Sequence, residues 1–315
     1  MIPETNTLEA TVNVNGVDIA YQLHGDKQHP TLALIHGLGA PLTAWPKAMV
    51  EQLVEQGFQV LLFDNRDIGK SEQLNHLKMP NLAWLMFKLK LGLPIKVPYK
   101  LEDMMTDTIA LLDELQLEKV HIVGASMGGM IAQLLTINHP ERVHTLTSIM
   151  STTGNKKLPR MTEEVKQNFA EKPASHSEAD ILKFNMTKWQ VIGSPDYPAE
   201  HEYLTEFVKG LLERGITAKG SLRQMLAIMA TKNREKRLAK INTPTLVLHG
   251  DADPLIRVEC GKATAAAIPN AKLITYPGMG HDCPIELIPS IVKDIVTHTR
   301  EYTNANTDKS KEVIS

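Results

Sequence analysis

The chain has 315 residues, of which 43% are apolar and 22% charged, a composition typical of folded proteins and not of disordered ones. Its 34 basic residues nearly balance 36 acidic ones, which argues against a nucleic-acid-binding protein, because such proteins carry a clustered basic surface. The two cysteines, Cys260 and Cys283, are too few for a disulfide framework and show no zinc-binding spacing. The start of the chain has no signal-peptide pattern, and no apolar stretch reaches the roughly 18 residues that span a bilayer, so we expect a soluble cytoplasmic protein.

The first predicted element is a β-hairpin over residues 11–23. Apolar and polar residues alternate on both sides of Asn15-Gly16. An Asn-Gly pair between two alternating runs is the strongest short-range signal for a hairpin.

After the hairpin, apolar runs of strand length alternate with amphipathic helical patterns. The runs lack a two-residue period, as expected of strands buried on both faces, and their alternation with helices indicates a parallel sheet. The predicted strands lie at 31–36, 59–64, 119–124, 143–151, 244–250 and 271–277. The predicted helices lie near 43–57, 101–116, 127–139, 257–268 and 284–300. We therefore expect an α/β fold with a mostly parallel central sheet flanked by helices.

One long segment interrupts this alternation and divides the chain. Residues 152–240 carry charged, helix-like patterns without a strand, which predicts a helical cap over the carboxyl edge of the sheet. The sheet domain is then formed by residues 1–151 and 241–303. The polar residues 304–315 are predicted to form a flexible tail.

A shorter interruption, residues 82–97, is apolar and basic and contains no acidic residue. It fits a helix that lies on a membrane surface, or a wall of the pocket entrance whose apolar face is turned inward. We prefer the pocket wall, because it requires no partner, and we expect no stable membrane insertion.

Ser126 lies where a predicted strand ends and a predicted helix begins, between Gly124 and Gly128. A serine at this position is either an ordinary helix cap or a nucleophile in a tight strand-to-helix turn. In the second case the turn pushes the hydroxyl outward, and side chains at the two glycine positions would collide with the neighbouring backbone. The position between a strand and a helix favours the nucleophile.

Candidates for an acid and a base follow two later strands. Asp251 and Asp253 come after one predicted strand, and we favour Asp253 by its spacing from the strand end, with Asp251 as the alternative. His281 follows the next strand and a glycine-rich turn. Serine, aspartate and histidine in this chain order, each behind its own strand, predict a catalytic triad in which the aspartate orients the imidazole.

A serine nucleophile also needs N–H donors for the oxyanion that forms on its substrate. The backbone N–H of Met127, at the start of a helix, is one candidate. After an early strand, Gly37 and Gly39 allow a sharp turn that leaves the N–H of Leu38 free to point inward, with Gly39 as the alternative donor. His36 is expected to organise this loop through hydrogen bonds.

Five motifs stand out along the chain: HGLG at 36–39, DNRDIGKS at 64–71, GASMGG at 124–129, HGDADPLI at 249–256 and GMGHD at 278–282. Together they resemble the α/β-hydrolase superfamily, and within it the esterase-like branch of aclacinomycin methylesterase, proline iminopeptidase and haloperoxidase relatives. The resemblance covers roughly residues 10–150 and 240–300 and is weak in the cap. It implies an α/β-hydrolase fold and structural ion-pairing roles for Asp64 and Arg66.

The mechanism implied by these motifs is acyl transfer to water through Ser126, without a metal or organic cofactor. The expected activity is hydrolysis of a small to medium, fairly apolar ester or lactone. One alternative is an aminopeptidase like proline iminopeptidase, which would need cap carboxylates such as Glu163, Glu164 or Glu171 to hold an α-amino group. Another is a non-catalytic ligand-binding protein on the same fold.

Overall fold

The computed structural model describes residues 7–312, and its first element is a β-hairpin. β1 (Thr7–Val14) and β2 (Val17–His24) pair in antiparallel orientation. Asn15 and Gly16 connect them with positive φ angles of 52° and 74°. Positive φ at both central positions is what a type I′ turn requires, and the hairpin prediction is confirmed.

Within the described residues, the strands form an eight-stranded sheet with the order β1-β2-β4-β3-β5-β6-β7-β8. The strands after the hairpin are β3 (Thr31–Ile35), β4 (Gln59–Phe63), β5 (Val120–Ala125), β6 (Val143–Ile149), β7 (Thr245–Gly250) and β8 (Lys272–Tyr276). β2 joins β4 in antiparallel orientation, and every neighbouring pair from β4 to β8 is parallel. The predicted α/β fold with a mostly parallel sheet is confirmed.

Helices cover the sheet and form a further group between β6 and β7. Those flanking the sheet are α1 (Lys47–Glu55), α3 (Leu101–Glu114), α4 (Met127–Asn138), α10 (Val258–Ala267) and α11 (Ile288–Glu312), while α2 (Leu82–Lys90) lies between β4 and α3. The group between β6 and β7 comprises α5 (Glu163–Ala170), α6 (Glu178–Ile192), α7 (His201–Gly215), α8 (Ala218–Ala230) and α9 (Glu235–Leu238). Among the helices so described, none is both long and apolar enough to cross a bilayer.

The last helix extends further than the sequence suggested. α11 continues through Glu312, so residues 304–312 lie in a helix where a tail was predicted. No glycine or proline follows residue 302 to end the helix. The remaining part of the predicted tail, residues 313–315, lies outside the described residues.

Successive side chains of the buried strands belong to two different cores. In β4, Leu61 and Phe63 pack into the core that α3 and α4 cover. Val60 and Leu62 pack into the core that α1 and α11 cover. Because both faces of the strand are buried, its sequence is continuously apolar, and the carboxyl edge of the sheet stays available for loops that carry polar groups.

A buried histidine in β5, His121, leads to a prediction about stability. Burial, together with the neighbouring His144, lowers the pKa of His121 from 6.5 to about 3. Below pH 6.5 this histidine binds a proton in the unfolded chain, whereas in the folded protein it stays neutral until near pH 3. The free energy of unfolding therefore decreases as the pH falls from 6.5 to 3. At pH 5 the loss relative to pH 8 should be about 2 kcal/mol from this residue.

The measurement is urea unfolding of wild type and His121→Gln at pH 8 and pH 5. We expect the difference between the two pH values to shrink in the variant. The exposed His29, replaced in the same way, is the control and should leave the difference unchanged. An equal pH dependence in wild type and His121→Gln would contradict the prediction.

Candidate active site

Ser126 occupies the corner between β5 and α4 in a strained backbone conformation. Its φ of 55° and ψ of −118° lie where residues other than glycine are rare. Two hydrogen bonds hold this corner: the Ser126 N–H donates to the Ile149 carbonyl at 2.9 Å, and the Ser151 hydroxyl donates to the Ser126 carbonyl at 2.7 Å. The side chain is thereby presented at the carboxyl edge of the sheet.

The small residues around Ser126 are required by close backbone packing. A Cβ atom on Gly124 would collide with the backbone of Gly128, and a Cβ atom on Gly128 would collide with the carbonyl of Ile35. Both collisions are with main-chain atoms, which cannot move aside as a flexible side chain can. The glycines therefore allow β3, β5 and α4 to meet at the serine.

The structure brings Ser126, His281 and Asp253 together in one chain of hydrogen bonds. Nε2 of His281 lies 3.0 Å from Oγ of Ser126, and Nδ1 of His281 lies 2.7 Å from Oδ2 of Asp253. Oδ1 of Asp253 accepts the backbone N–H groups of Leu255 and Ile256 at 2.9 and 2.8 Å. This arrangement orients the imidazole with one nitrogen toward the carboxylate and the other toward the hydroxyl.

Asp253 is fully buried and remains an acceptor for the imidazole. Burial alone would raise the pKa of this carboxyl. The neighbouring His281 and His249 lower the pKa by more, so that it lies well below its usual range. Nε2 of His249 lies 3.5 Å from Oδ2 of Asp253 and also hydrogen bonds to the Ile256 carbonyl at 2.7 Å. The carboxylate is therefore ionised at neutral pH.

The alternative acid, Asp251, has a different place in the structure. It is exposed, and its Oδ1 accepts the backbone N–H of Gly278 at 2.8 Å. This bond joins two loops at the sheet edge and does not reach the imidazole. Of the two candidate aspartates, the structure brings only Asp253 to His281.

The loop after β3 passes directly beside Ser126. A Cβ atom on Gly37 would lie 3.0 Å from Cβ of Ser126. Among the described residues, neither the Leu38 N–H nor the Met127 N–H donates a hydrogen bond, and the Met127 group is at the first position of α4. Both N–H groups are thus free to donate a hydrogen bond.

The N–H of Gly39, the alternative donor, already makes a hydrogen bond within the protein. Its N–H donates to Oε1 of Gln224 at 2.8 Å, and Nε2 of Gln224 donates to the Arg66 carbonyl at 2.8 Å. Gln224 lies on α8 and is fully buried. A helix between β6 and β7 therefore fixes the loop that carries Leu38.

His36 makes the loop contacts that its predicted role requires. Its Nδ1 accepts the Gly37 N–H at 2.7 Å, and its ring meets the Trp45 ring edge-on at a centroid distance of 4.9 Å. Burial lowers the pKa of His36 to about 4. The ring is therefore neutral at pH 7 and stabilises the turn without carrying charge.

The end of α6 binds the loop that carries His281. The His281 N–H donates to the Ile192 carbonyl at 2.7 Å, and the Gly280 N–H donates to Oγ of Ser194 at 2.8 Å. The Ser194 hydroxyl in turn donates to Asp282. Nothing in the sequence pointed to Ser194 or to Gln224, because polar residues in a charged helical segment look alike before their partners are known.

Asp64 and Arg66 lie in buried ion pairs beside the site. The Arg66 guanidinium contacts Asp107 through two hydrogen bonds of 2.5 and 2.6 Å, and Arg214 on α7 lies 2.9 Å from Asp64. A third buried pair joins Arg223 on α8 to Asp67 at 2.5 Å. The last two pairs tie the helices between β6 and β7 to the loop after β4.

Comparison with known proteins agrees with this architecture. Rhodomycin D methylesterase DnrP from Streptomyces peucetius is 25% identical over 299 residues, which cover 89% of this chain and 94% of that protein. 3-Oxoadipate enol-lactonase 1 from Acinetobacter baylyi is 26% identical over 251 residues, covering 79% and 81%. A solved structure of a thermophilic esterase from Thermogutta terrifontis superposes with a TM-score of 0.69 at 20% identity, covering 94% of this chain and 99% of that one. A family model described as the alpha/beta hydrolase fold matches residues 30–286, and the chain therefore belongs to the α/β-hydrolase family.

Proposed function

We propose that the protein is a serine esterase that cleaves a carboxylic ester through an acyl-enzyme on Ser126. The observation that carries the proposal is the hydrogen-bonded chain from Ser126 through His281 to Asp253, with two unengaged N–H groups beside the serine. A serine hydroxyl is a weak nucleophile, and an adjacent base that is itself oriented by a carboxylate is what activates it. Two of the similar proteins, a methylesterase and an enol-lactonase, are also named for the hydrolysis of ester bonds, while others are named as dienedioate or carbamate hydrolases.

The chemistry follows from the positions of these groups. Nε2 of His281 takes the Ser126 proton as Oγ attacks the ester carbonyl, and the Leu38 and Met127 N–H groups bind the resulting oxyanion. When the C–O bond to the alcohol breaks, the same nitrogen gives its proton to the leaving oxygen. Water then attacks the acyl-enzyme with His281 again as the base, which releases the acid and restores the serine.

The helices between β6 and β7 are proposed to form a cap that sets substrate preference. Trp189 and Phe207 on these helices pack with Ala40 and Ala44, which follow the loop carrying Leu38. Such an apolar wall favours an apolar acyl or alcohol group over a charged one. We therefore assign small to medium, fairly apolar esters or lactones as the substrate class.

The experiment is hydrolysis of p-nitrophenyl esters from acetate to decanoate, with prolyl p-nitroanilide as the competing substrate. We expect turnover of the esters with a maximum at a short or medium chain, because the cap limits the length that fits. Hydrolysis of the anilide without ester turnover would replace the proposal by an aminopeptidase. Tight binding of esters without any turnover would replace it by a ligand-binding protein.

The structure favours neither alternative over the esterase. An aminopeptidase needs buried carboxylates for the substrate ammonium group, whereas Glu163, Glu164 and Glu171 are all exposed. Glu163 is paired with Lys166 at 2.9 Å on the solvent side of α5. These side chains belong to a solvated helix surface.

Gln224 provides a test of how the cap supports the chemistry. Gln224→Met keeps the side-chain length but removes the bonds to the Gly39 N–H and the Arg66 carbonyl. The loop can then turn the Leu38 N–H away from the oxyanion, so we expect kcat to fall about 10- to 100-fold with little change in KM. Steady-state kinetics on a short ester measure both constants.

The matched control is Gln190→Met, a glutamine that is exposed on α6. Its kcat should equal that of the wild type within about twofold, as for a surface substitution. If Gln224→Met raised KM and left kcat unchanged, Gln224 would contact the substrate and would not position the oxyanion loop.

A further inference from the structure

The segment formed by α2 and the residues after it exposes large apolar side chains to solvent. Its exposed residues are Leu82, Trp84, Phe87, Leu91 and Leu93, which we name the α2 patch, and each is between 44% and 57% accessible. Leu85, which lies about 160° from Phe87 around the helix, is buried. Trp84 and Phe87 are therefore turned outward, where the preferred expectation of a pocket wall had the apolar side chains of this segment inward.

The two aromatic rings of the patch are organised together. Trp84 and Phe87 stack with their ring centroids 5.3 Å apart, and Nζ of Lys88 lies 5.5 Å from the Trp84 centroid. At 100° per residue, Lys88 and Lys90 fall on either side of the two rings around the helix. An outward aromatic pair flanked by lysines is the pattern of a helix that lies in a membrane interface.

The segment that carries the patch has charges of one sign. Residues 73–101 contain no aspartate or glutamate and carry five lysines, at positions 78, 88, 90, 96 and 100. The whole chain nevertheless has a net charge of −2, so the basic residues are concentrated locally. Anionic headgroups complement this surface, whereas a second copy of the chain docked on the same patch would bring lysines against lysines.

The patch belongs to a segment that leaves the sheet and returns to its flanking helices at one edge. Its segment connects the carboxyl end of β4 to the start of α3, and Ser126 lies at the carboxyl end of the neighbouring part of the sheet. The segment therefore starts and ends near the sheet edge at which Ser126 lies.

We propose that the α2 patch docks the protein on the surface of an anionic lipid bilayer. Trp84 and Phe87 enter the headgroup region, and the lysines beside them bind lipid phosphates and carboxylates. The binding is peripheral and reversible, and it places an esterase at an interface where apolar esters accumulate. Docking itself does not depend on the proposed catalytic function, and its test uses no activity measurement.

The experiment is co-sedimentation of the full chain with vesicles of phosphatidylcholine, with and without about 30% phosphatidylserine. Tryptophan fluorescence gives a second signal, because Trp84 is exposed while Trp45 is buried and Trp189 is packed in the cap. We expect binding to the anionic vesicles with a blue shift, at least tenfold weaker binding to the neutral ones, and weaker binding as salt is added.

Two double variants separate the contributions. Trp84→Ser with Phe87→Ser removes the rings, and Lys88→Glu with Lys90→Glu reverses the flanking charge; each should weaken binding at least tenfold. The controls are Leu8→Ser, an equally exposed leucine on β1, and Lys27→Glu with Lys47→Glu, which change the same charges elsewhere. Unchanged melting temperatures show that all variants fold.

Binding that both double variants retain would overturn the proposal, as would the absence of binding to either vesicle. Analytical ultracentrifugation without lipid tests the other possible partner of the patch, a second copy of this chain. A wild-type dimer that Trp84→Ser with Phe87→Ser converts to a monomer would make the α2 patch a contact between copies and would also overturn it.

Discussion

Ser126→Ala is expected to lower kcat/KM for p-nitrophenyl esters by about 10⁴-fold or more, because the variant has no nucleophile to form the acyl-enzyme. The residual rate would come from the two oxyanion donors and the binding of substrate, which the substitution leaves in place. KM should change little. Alanine also tolerates the backbone of this corner about as well as serine, so the fold is retained.

The neighbouring Ser151 is the matched control. Its hydroxyl lies close to the same corner but is bonded to the Ser126 carbonyl, so it is not available as a nucleophile. Ser151→Ala should keep kcat/KM within about tenfold of the wild type, the cost of one loosened hydrogen bond. A fluorophosphonate should add once to wild type and to Ser151→Ala and not to Ser126→Ala. Covalent labelling of Ser126→Ala at full stoichiometry would place the nucleophile elsewhere.

The features that the sequence predicted are those with short-range causes. Buried parallel strands are continuously apolar, and the Asn15-Gly16 turn needs positive φ, so the hairpin and the order of strands and helices could be predicted. The loops that carry Ser126 and Asp253 follow such strands, and the loop that carries His281 follows the parallel edge strand β8, in which only Tyr276 is buried. Because the carboxyl ends of parallel strands share one edge, predicting the strands also predicts that these residues approach one another.

What could not be predicted depends on pairs of residues far apart in the chain. Gln224 meets Gly39 across 185 positions, and Ser194 meets Asp282 across 88. No periodicity marks a polar residue that will be buried by a partner on another element. The outward orientation of Trp84 and Phe87 could not be separated from an inward one for a related reason, because an apolar run looks the same whether it packs inward or faces solvent.

Asp253→Asn is expected to lower kcat/KM about 10³- to 10⁴-fold while leaving KM nearly unchanged. The amide is almost the same size and can keep the Leu255 and Ile256 N–H bonds through its oxygen, so the loop stays in place. Its NH₂ group then faces Nδ1 of His281 and favours the tautomer that carries the proton on Nε2. In that tautomer the imidazole cannot take the Ser126 proton, and the imidazolium that forms later has lost its counter-charge.

Asp251→Asn is the control, because Asp251 lies two positions before Asp253. It tests whether the loss of activity is specific to Asp253. Asp251 is exposed and its side chain accepts the Gly278 N–H, a bond that the asparagine oxygen can replace, so activity should stay within about threefold of the wild type. Both rates are measured on the same ester at pH 8, and melting temperatures report the fold. If the large loss followed Asp251→Asn and not Asp253→Asn, the hydrogen bond of 2.7 Å between Asp253 and His281 would not be the one that orients the base during catalysis. Since Asp253 is fully buried and is the aspartate bonded to His281 in this structure, such an outcome would require the loop between β7 and α10 to rearrange when substrate binds.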